Sequence, residues 1–249
     1  MKLGIVTPQI WSKSFEELME CVKKRDLVLE VVLPPSKKLM ECSLFDLVDR
    51  VTDFTDLKVV AMRVPEILFK DRWISDVFEK VLMAADELGC RYLVSKPPRK
   101  DSGNTVFSDE LTDLLLNYKK TICWDNCFTE KRFLHSFDAA KRFIGRFVGV
   151  PFGLSYTFSR VNDVSVNEIL EHSGYIKLIH VQNIDLSGRP IPIFRPEGVL
   201  NIYDLLANLV KGGYNGVIML EYPRQHMNSY VDDLIRAKQY IIRILEKKP

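Results

Sequence analysis

The stretch GYNGVIMLEYP, residues 213–223, contains an apolar run that is followed directly by a charged residue. Val217–Leu220 are four large apolar residues in a row, which is typical of a strand buried on both faces. Glu221 follows them directly, and an unpaired carboxylate is costly to bury. A charge at the C-terminal end of such a strand indicates either a wrongly assigned strand or the edge of a functional site.

The composition is that of a soluble globular chain without a strong charge. The 249 residues are 47% hydrophobic and 27% charged, with a formal net charge of +2. This near-neutral balance gives no field that would attract nucleic acid or an anionic membrane, and no apolar run approaches the ~20 residues that span a bilayer. The first residues, MKLGIVTPQIW, lack the apolar region and cleavage site of a signal peptide, so we expect a cytoplasmic protein.

The cysteines show no disulfide-like pattern. They are Cys21, Cys42, Cys90, Cys123 and Cys127. Their odd number argues against complete pairing, and we expect reduced, mostly buried thiols. Cys123 and Cys127 flank Asp125 at two-residue spacing, which would place all three on one face of a strand. Zinc sites more commonly use CxxC spacing, so a thiolate metal site is the less favoured interpretation.

Strand and helix periodicities alternate along the whole chain. The predicted strands are residues 2–7, 28–33, 57–64, 92–95, 121–127, 147–154, 176–182 and 217–221, and the predicted helices are 14–24, 40–51, 74–88, 109–116, 131–143, 166–172, 202–210 and 230–245. Strands separated by helices pair in parallel, with right-handed crossovers that place the helices over the sheet. Eight such units in about 250 residues predict a single (β/α)8 barrel over residues 1–249. A doubly wound open sheet is the alternative, but no GxGxxG turn follows the first strand, where the sequence reads TPQIW.

Polar side chains recur where the predicted strands end. They are Arg63, Lys96, Asp125, His180 and Glu221. Each has an ordinary explanation by itself, such as a histidine satisfied inside a core or an Asp-Asn turn. A (β/α)8 barrel, however, concentrates function at the C-terminal ends of its strands. The five residues together therefore predict a shared pocket on that rim.

The segment at 176–223, IKLIHVQNIDLSGRP…RPEGVLNIYDLLANLVKGGYNGVIMLEYP, carries a pattern in addition to its periodicity. A strand ends in His, and a loop with Gly-Arg, a Pro/Gly-rich turn, a helix, GYxG and a strand ending in Leu-Glu follow. These features are His180, Gly188-Arg189, Pro196-Glu197-Gly198, Gly213-Tyr214-x-Gly216 and Leu220-Glu221. The segment resembles the C-terminal third of the xylose isomerase-like TIM-barrel superfamily, which includes sugar and sugar-phosphate isomerases and epimerases and the endonuclease IV DNA-repair enzymes.

The resemblance implies a divalent-metal site with ligands Glu, Asp, His and Glu on strands five to eight. His180 and Glu221 match this pattern, and Asp125 stands where the family has Glu. The strand-six Asp corresponds to Gly153, and the His found three residues later in many members corresponds to Tyr156. The expected ligands are therefore Asp125, His180 and Glu221, holding one Mn, Zn, Co or Mg ion, with a protein free of metal as the alternative.

Two cations stand where the DNA-repair branch has metal-binding histidines. Its H-x-P and H-P-G contexts correspond here to Arg63-Val-Pro and Lys96-Pro-Pro, so a three-metal phosphodiesterase centre and nucleic-acid binding are not expected. Arg63 and Lys96 would instead neutralise Asp125 and Glu221 and repel a metal ion.

The first functional hypothesis is an isomerase or epimerase that acts on a small sugar, polyol or sugar phosphate. Asp125 and Glu221 would be its acid–base residues. His180 would be a ligand or electrophile, and Arg189 would bind substrate oxygens. The sequence predicts neither the identity of the substrate nor the oligomeric state.

The second hypothesis is a non-catalytic or metal-free barrel that binds an anionic small molecule. Its cations would be Arg63, Lys96 and Arg189, because convergent cationic side chains suit phosphate or carboxylate groups. Apolar walls would come from aromatic residues at the strand ends: Trp124, Tyr156 and Tyr222. A third, purely structural interpretation is that Arg63–Glu221 and Lys96–Asp125 are ion pairs within a closed barrel.

Overall fold

The structure of the protein, a computed structural model, describes residues 1–22, 25–65, 74–97, 109–125, 136–146, 149, 151–158, 166–221 and 230–246. Strands and helices alternate along these ranges. The strands are β1 (Lys2–Gln9), β2 (Val28–Val32), β3 (Lys58–Arg63), β4 (Tyr92–Ser95), β5 (Thr121–Asp125), β6 (Phe152–Phe158), β7 (Ile176–Val181), β8 (Asn183–Ile184), β9 (Pro190–Ile191) and β10 (Val217–Leu220). The helices are α1 (Lys13–Val22), α2 (Ser36–Glu41), α3 (Leu44–Thr52), α4 (Ile74–Glu87), α5 (Asp109–Asn117), α6 (Phe137–Arg146), α7 (Val166–Glu171), α8 (Ile202–Lys211) and α9 (Tyr230–Glu246).

Eight of these strands close into one barrel. Their order around it is β1, β10, β7, β6, β5, β4, β3 and β2, and every neighbouring pair is parallel. The predicted (β/α)8 barrel is therefore confirmed, with β10 as its eighth strand. The two short strands β8 and β9 form a separate antiparallel hairpin between β7 and α8. That residues 1–249 form a single domain stays a prediction.

The predicted helix at 40–51 is wrong, because the chain forms two helices there. The hydroxyl of Ser43 accepts a hydrogen bond from the backbone N–H of Asp46 (3.1 Å), and the Asp46 carboxylate accepts one from the Ser43 N–H (2.7 Å). This reciprocal capping box satisfies N–H groups at the start of α3 that a new helix would otherwise leave unpaired. It therefore stabilises a break between α2 and α3.

The predicted strand at 147–154 overlaps β6 only at its end, because β6 begins at Phe152 and runs to Phe158. Residues 147, 148 and 150 of the prediction lie outside the described residues. The apolar run FVGVPFGL is typical of a buried strand. Pro151, however, has no N–H group to donate to a neighbouring strand. Its carbonyl accepts a hydrogen bond from the N–H of Ile122 (3.0 Å). The true strand alternates apolar residues with Ser155 and Thr157, a pattern that a search for continuous apolar runs misses. As a result, Gly153 lies at the N-terminal end of β6 and not at the mouth of the barrel.

Alternation along the strands separates two apolar layers. The barrel interior holds Val6, Val28, Val60, Ala61, Val94, Cys123, Leu178, Val217 and Met219. A larger layer fills the space between the strands and the helices. At Gly4 an added Cβ would lie 2.5 Å from the carbonyl oxygen of Val28 and 2.6 Å from Sδ of Met219, so the interior leaves no room for a side chain there.

The apolar interior ends in a polar layer at the C-terminal mouth. Six residues each stand two positions after a residue of the barrel interior. They are Glu30 (after Val28), Arg63 (after Ala61), Lys96 (after Val94), Asp125 (after Cys123), His180 (after Leu178) and Glu221 (after Met219). Residues two apart in a strand share a face. The fold thus places these six side chains over the interior core and on the same rim.

None of the described helices combines the length and apolar character that crossing a bilayer requires. Cys21, Cys42, Cys90 and Cys123 are free thiols, and Cys127 lies outside the described residues. Burial raises the pKa of Cys90 to about 12, so this thiol stays protonated at neutral pH. The cytoplasmic location stays a prediction.

Candidate functional site

Glu30, on β2, is the centre of the polar layer. Its side chain is fully buried, and both carboxylate oxygens are bound: Nε of Arg63 donates to Oε1 (2.7 Å), and Nε2 of His180 donates to Oε2 (2.6 Å). Burial opposes its ionisation, but His180 and Arg63 outweigh burial and lower the pKa to about 2. Glu30 was missed by the sequence analysis. Its one signal is a charged residue inside the apolar strand VLEVV.

Arg63, at the end of β3, joins two carboxylates. Besides Glu30, its Nη1 donates to Oε1 of Glu221 at 2.7 Å, and its Nη2 lies 3.4 Å from Oε2 of the same residue. The side chains of Arg63 and Glu221 are 25% and 21% exposed. Burial opposes the charge on both groups, yet each holds the other ionised: the pKa of Arg63 is raised, and Arg63 and His180 lower that of Glu221. The predicted Arg63–Glu221 pair is therefore present, and the carboxylate that follows the apolar run Val217–Leu220 is neutralised by an arginine.

His180, on β7, uses both of its ring nitrogens within the protein. Nε2 donates to Glu30, and Nδ1 lies 2.8 Å from Oγ of Ser155 on β6. Burial opposes protonation of the fully buried ring, but Glu30 raises the pKa of His180 above its usual 6.5. When the imidazole is charged it donates from both nitrogens, and the Glu30 carboxylate and the Ser155 hydroxyl can each accept one of these hydrogen bonds.

Asp125, at the end of β5, differs from Glu30 and Glu221 in the direction of its pKa shift. The hydroxyl of Thr157 donates to its Oδ1 at 3.0 Å. Burial raises its pKa above the usual value of 3.8, against the opposing effects of Arg63 and His180. Glu30 and Glu221 have lowered pKa values, so of these three carboxyl groups Asp125 is the one whose pKa is raised.

A cavity of about 350 Å³ opens beside this layer. Its polar lining includes Gln9, Arg63, Ser95, Lys96 and Asp125, and its apolar lining includes Val32, Pro34, Pro35 and Pro65. The volume is at the lower end of the range for small-molecule sites. Lys96 is exposed, and within the described chain it makes no ion pair with Asp125. The predicted Lys96–Asp125 pair is therefore not formed, although both residues line the same cavity.

Comparison with known proteins identifies the fold. No protein-family model matches the chain, and no curated protein matches it by sequence. Among solved structures, the IolI protein with a bound zinc atom is 16% identical, covers 99% of both chains and has a TM-score of 0.66. The 3-keto-D-glucoside 4-epimerase YcjR from E. coli is 14% identical over 96% of this chain and 99% of its own, with a TM-score of 0.69. A D-psicose 3-epimerase determined in the presence of D-fructose is 13% identical over 98% of this chain and 99% of its own, with a TM-score of 0.65.

The chain has the xylose isomerase-like TIM-barrel fold. Structural likeness at such low sequence identity establishes the fold alone. This is the fold that the resemblance in the segment at 176–223 predicted. Among these xylose isomerase-like barrels, the IolI protein holds a zinc atom, so the metal ligands that the resemblance implied here can be tested against the geometry.

The expected ligands Asp125, His180 and Glu221 do not fit a metal ion as they are placed. Both ring nitrogens of His180 are engaged by protein groups, and Glu221 is bound to the Arg63 guanidinium. In the described ranges, no group of three or more His, Cys, Asp or Glu side chains lies in an arrangement that could hold a metal. Gly153, the expected counterpart of a metal-binding Asp, lies at the wrong end of β6, and Ser155 and Thr157 occupy the mouth in its place.

The remaining predicted contact residues lie away from the cavity. Arg189 has a 78% exposed side chain and donates to Asp185 within the β8–β9 hairpin (3.0 Å). Trp124 and Tyr156 are buried in the layer between strands and helices, where Trp124 packs on Phe152. Substrate contacts by these three residues stay predictions that their positions do not favour. The third aromatic candidate, Tyr222, lies outside the described residues.

Proposed function

We propose that the mouth of this barrel binds a small sugar and transfers a proton at the carbon next to its carbonyl group. Asp125 is the acid–base residue, and the side chains of Arg63 and Lys96 supply the positive charge that stabilises the oxyanion. The observation that carries this proposal is the Asp125 carboxyl, which has a raised pKa and lines the same cavity as the Arg63 guanidinium. Two neighbours with this fold are named as sugar epimerases, which supports the substrate class.

Asp125 suits the role of general base because its pKa is shifted toward the working pH. Proton transfer is most efficient when the pKa of the catalytic group lies near that pH. The Thr157 hydroxyl fixes one carboxylate oxygen and leaves the other for the substrate. The C–H proton passes to Asp125, and the C–H electron pair forms a carbon–carbon double bond. The carbonyl π electrons move to the carbonyl oxygen, which gives an enediolate oxyanion. The proton of the adjacent hydroxyl group then moves to this oxyanion, and return of the first proton from Asp125 to the former carbonyl carbon completes an isomerisation.

Arg63 and Lys96 are placed to stabilise the oxyanion. Guanidinium has five N–H donors, and three of those of Arg63 point at Glu30 and Glu221, which leaves two for a ligand. Lys96 lines the same cavity. Hydrogen-bond donors fixed before the reaction stabilise developing charge most effectively.

The arrangement favours isomerisation through one base over inversion through two. Epimerisation at one carbon needs an acid and a base on opposite faces of the substrate. Glu221 is held as a carboxylate by Arg63 and has a lowered pKa, so it is a weak base. A single carboxyl, Asp125, that removes a proton and returns it to the adjacent carbon needs only one face.

The alternative function, binding of an anion, finds less support in the charges. The charge of Arg63 is compensated by two carboxylates, and that of Arg189 by Asp185. Of the three predicted cations, Lys96 alone lacks an ion-pair partner in the described part of the chain. A phosphate-bearing substrate would therefore depend mainly on Lys96, and a neutral sugar matches the remaining lining better.

The test is hydrogen exchange in D2O with a chelator present. Wild-type protein is incubated with a panel of aldoses and ketoses, and loss of the proton signal next to the carbonyl is followed by NMR. We expect exchange with at least one sugar and a loss of ~100-fold or more in Asp125→Asn, in line with the usual contribution of a general base. Asp138→Asn, which changes an exposed carboxylate on α6, is the matched control. Equal exchange by Asp125→Asn and wild type would contradict the assignment, and no exchange with any sugar would favour the binding function.

A further inference from the structure

Strand β1 contains an irregularity directly before the mouth of the barrel. The last regular pair with β2 joins Val6 to Glu30. The next pair joins Gln9 to Val32, so three steps along β1 match two steps along β2. Such an extra residue is a β-bulge, a feature that is over-represented next to active sites, where it redirects a side chain. Val6 faces the barrel interior, and the extra residue turns Gln9 to that same side, which regular alternation would have denied it.

The bulge is built from the sequence Thr7-Pro8-Gln9. The hydroxyl of the buried Thr7 accepts a hydrogen bond from the N–H of Val32 (3.2 Å) and donates one to the carbonyl of Pro8 (2.8 Å). Pro8 has no N–H group to pair, and proline within sheets occurs at bulges and edges. The backbone carbonyl of Gln9 accepts from the N–H and the hydroxyl of Ser12 (2.8 and 2.7 Å). These hydrogen bonds fix the backbone on both sides of Gln9 and so set the direction of its side chain.

The side-chain amide of Gln9 lines the cavity of about 350 Å³. It makes no hydrogen bond with any other described residue. An amide offers an acceptor oxygen and two N–H donors, so it can both accept from and donate to a hydroxyl group. It carries no charge, whereas phosphate groups are bound most strongly by cationic donors. The chemistry of this residue therefore matches a neutral hydroxyl.

Gln9 is separated from the other polar groups of the cavity. β1 and β5 are four strands apart in either direction around the barrel, so Gln9 and Asp125 stand on opposite strands. The remaining polar lining comes from the ends of β3 and β4, on the way to Asp125. The lining from the end of β2 is Val32–Pro35, whose side chains have no hydrogen-bonding groups. An apolar wall thus lies between Gln9 and the reacting end of the cavity.

We propose that Gln9 determines specificity by binding the terminal hydroxyl of an unphosphorylated hexose, at the end remote from the carbon that Asp125 deprotonates. The C–H groups between the two ends pack against Val32–Pro35. A sugar of several carbons is needed to contact both strands, and a cavity at the lower end of the usual range of volumes suits a single monosaccharide. This inference rests on the proposed isomerisation and names the substrate class for it.

Hydrogen exchange with a matched pair of sugars tests the role of Gln9. The pair is a hexose and its 6-deoxy analogue, which lacks the terminal hydroxyl, and exchange is measured over a range of sugar concentrations. Gln9→Met replaces the amide by an apolar group of similar length. We expect it to raise the KM for the hexose ~3–10-fold, as loss of one neutral hydrogen bond does, with kcat unchanged and the KM for the 6-deoxy sugar unchanged. Gln9→Glu keeps an acceptor oxygen and should retain a preference for the hexose.

Gln239→Met is the matched control, because Gln239 is an exposed amide on α9 and its loss should change neither KM. KM does not depend on the amount of folded protein, so the comparison holds even where Gln9→Met folds less completely. Equal changes for the two sugars, or no change, would overturn the role of Gln9 and leave the isomerase assignment intact. A lower KM for the hexose 6-phosphate than for the hexose in wild type would also overturn it.

A different result marks failure of the proposed function itself, namely no exchange with any sugar. The same pair is then titrated by saturation-transfer NMR, which detects binding without reaction. Tighter binding of the hexose than of its 6-deoxy analogue, abolished by Gln9→Met, would support the contact with Gln9 in a binding protein. No binding of either sugar would refute both proposals.

Discussion

Replacing Glu30 by glutamine should cost about 3 kcal/mol of unfolding free energy, although the two side chains have nearly the same shape. Glu30 is fully buried and neutralises Arg63 and His180 together. Its pKa falls from 4.5 to about 2 on folding, and at 1.36 kcal/mol per unit this corresponds to ~3 kcal/mol. Removing one partner of a buried ion pair costs roughly 3–5 kcal/mol in other proteins, so two independent arguments give similar values.

Urea denaturation at pH 7, followed by circular dichroism, measures this cost as a lower midpoint at an unchanged slope. Glu16→Gln is the control, because it removes the carboxylate that binds Arg50 on the surface, where Glu16 is 42% exposed. Such exposed pairs contribute ~0–1 kcal/mol. If Glu30→Gln were as mild as Glu16→Gln, the ion pairs of Glu30 with Arg63 and His180 would not stabilise the barrel, and this account of the buried network would be wrong.

Two further predictions concern the acid stability of the protein and the packing of the barrel interior. The folded-state pKa of Glu30 is depressed, so its contribution is present above pH 4.5 and is lost as the pH falls toward about 2; acid titration of stability should be steeper over this range in wild type than in Glu30→Gln, and parallel curves would contradict the assignment. Gly4→Ala should destabilise the barrel by roughly 1–3 kcal/mol, as overpacking of a core does, because its Cβ would meet the Val28 carbonyl at 2.5 Å; a melting temperature equal to that of wild type would show that the interior can expand.

The fold could be predicted from sequence because it rests on periodic signals. Eight strand–helix units fix the number of strands, and parallel pairing follows from the crossovers. The barrel then brings Arg63, Asp125, His180 and Glu221 together, since each stands at the end of a strand. Their convergence on one rim could therefore be inferred before any distance was known.

Glu30 could not be found in the same way. It stands within β2 and its partners lie 33 and 150 residues further along the chain. Only the closed barrel shows that the interior position two residues after Val28 lies within hydrogen-bonding distance of Arg63 and His180. The same limit affects β6, where inward-facing Ser155 and Thr157 make the strand resemble a loop, and Lys96, whose lack of an ion pair with Asp125 depends on side-chain conformation.

A tethered guanidinium has chemical consequences that a metal ion does not. It neutralises two carboxylates permanently, whatever the supply of metal, and it gives hydrogen bonds of fixed direction to a ligand. Arg63 does not lower the pKa of a bound water as a catalytic metal does, so in the proposed reaction the base must be a residue of the protein. The raised pKa of Asp125 meets that requirement. Arg63 and Asp125 line the same cavity, and in the proposed reaction this pair suits removal of a proton from a C–H group already acidified by an adjacent carbonyl.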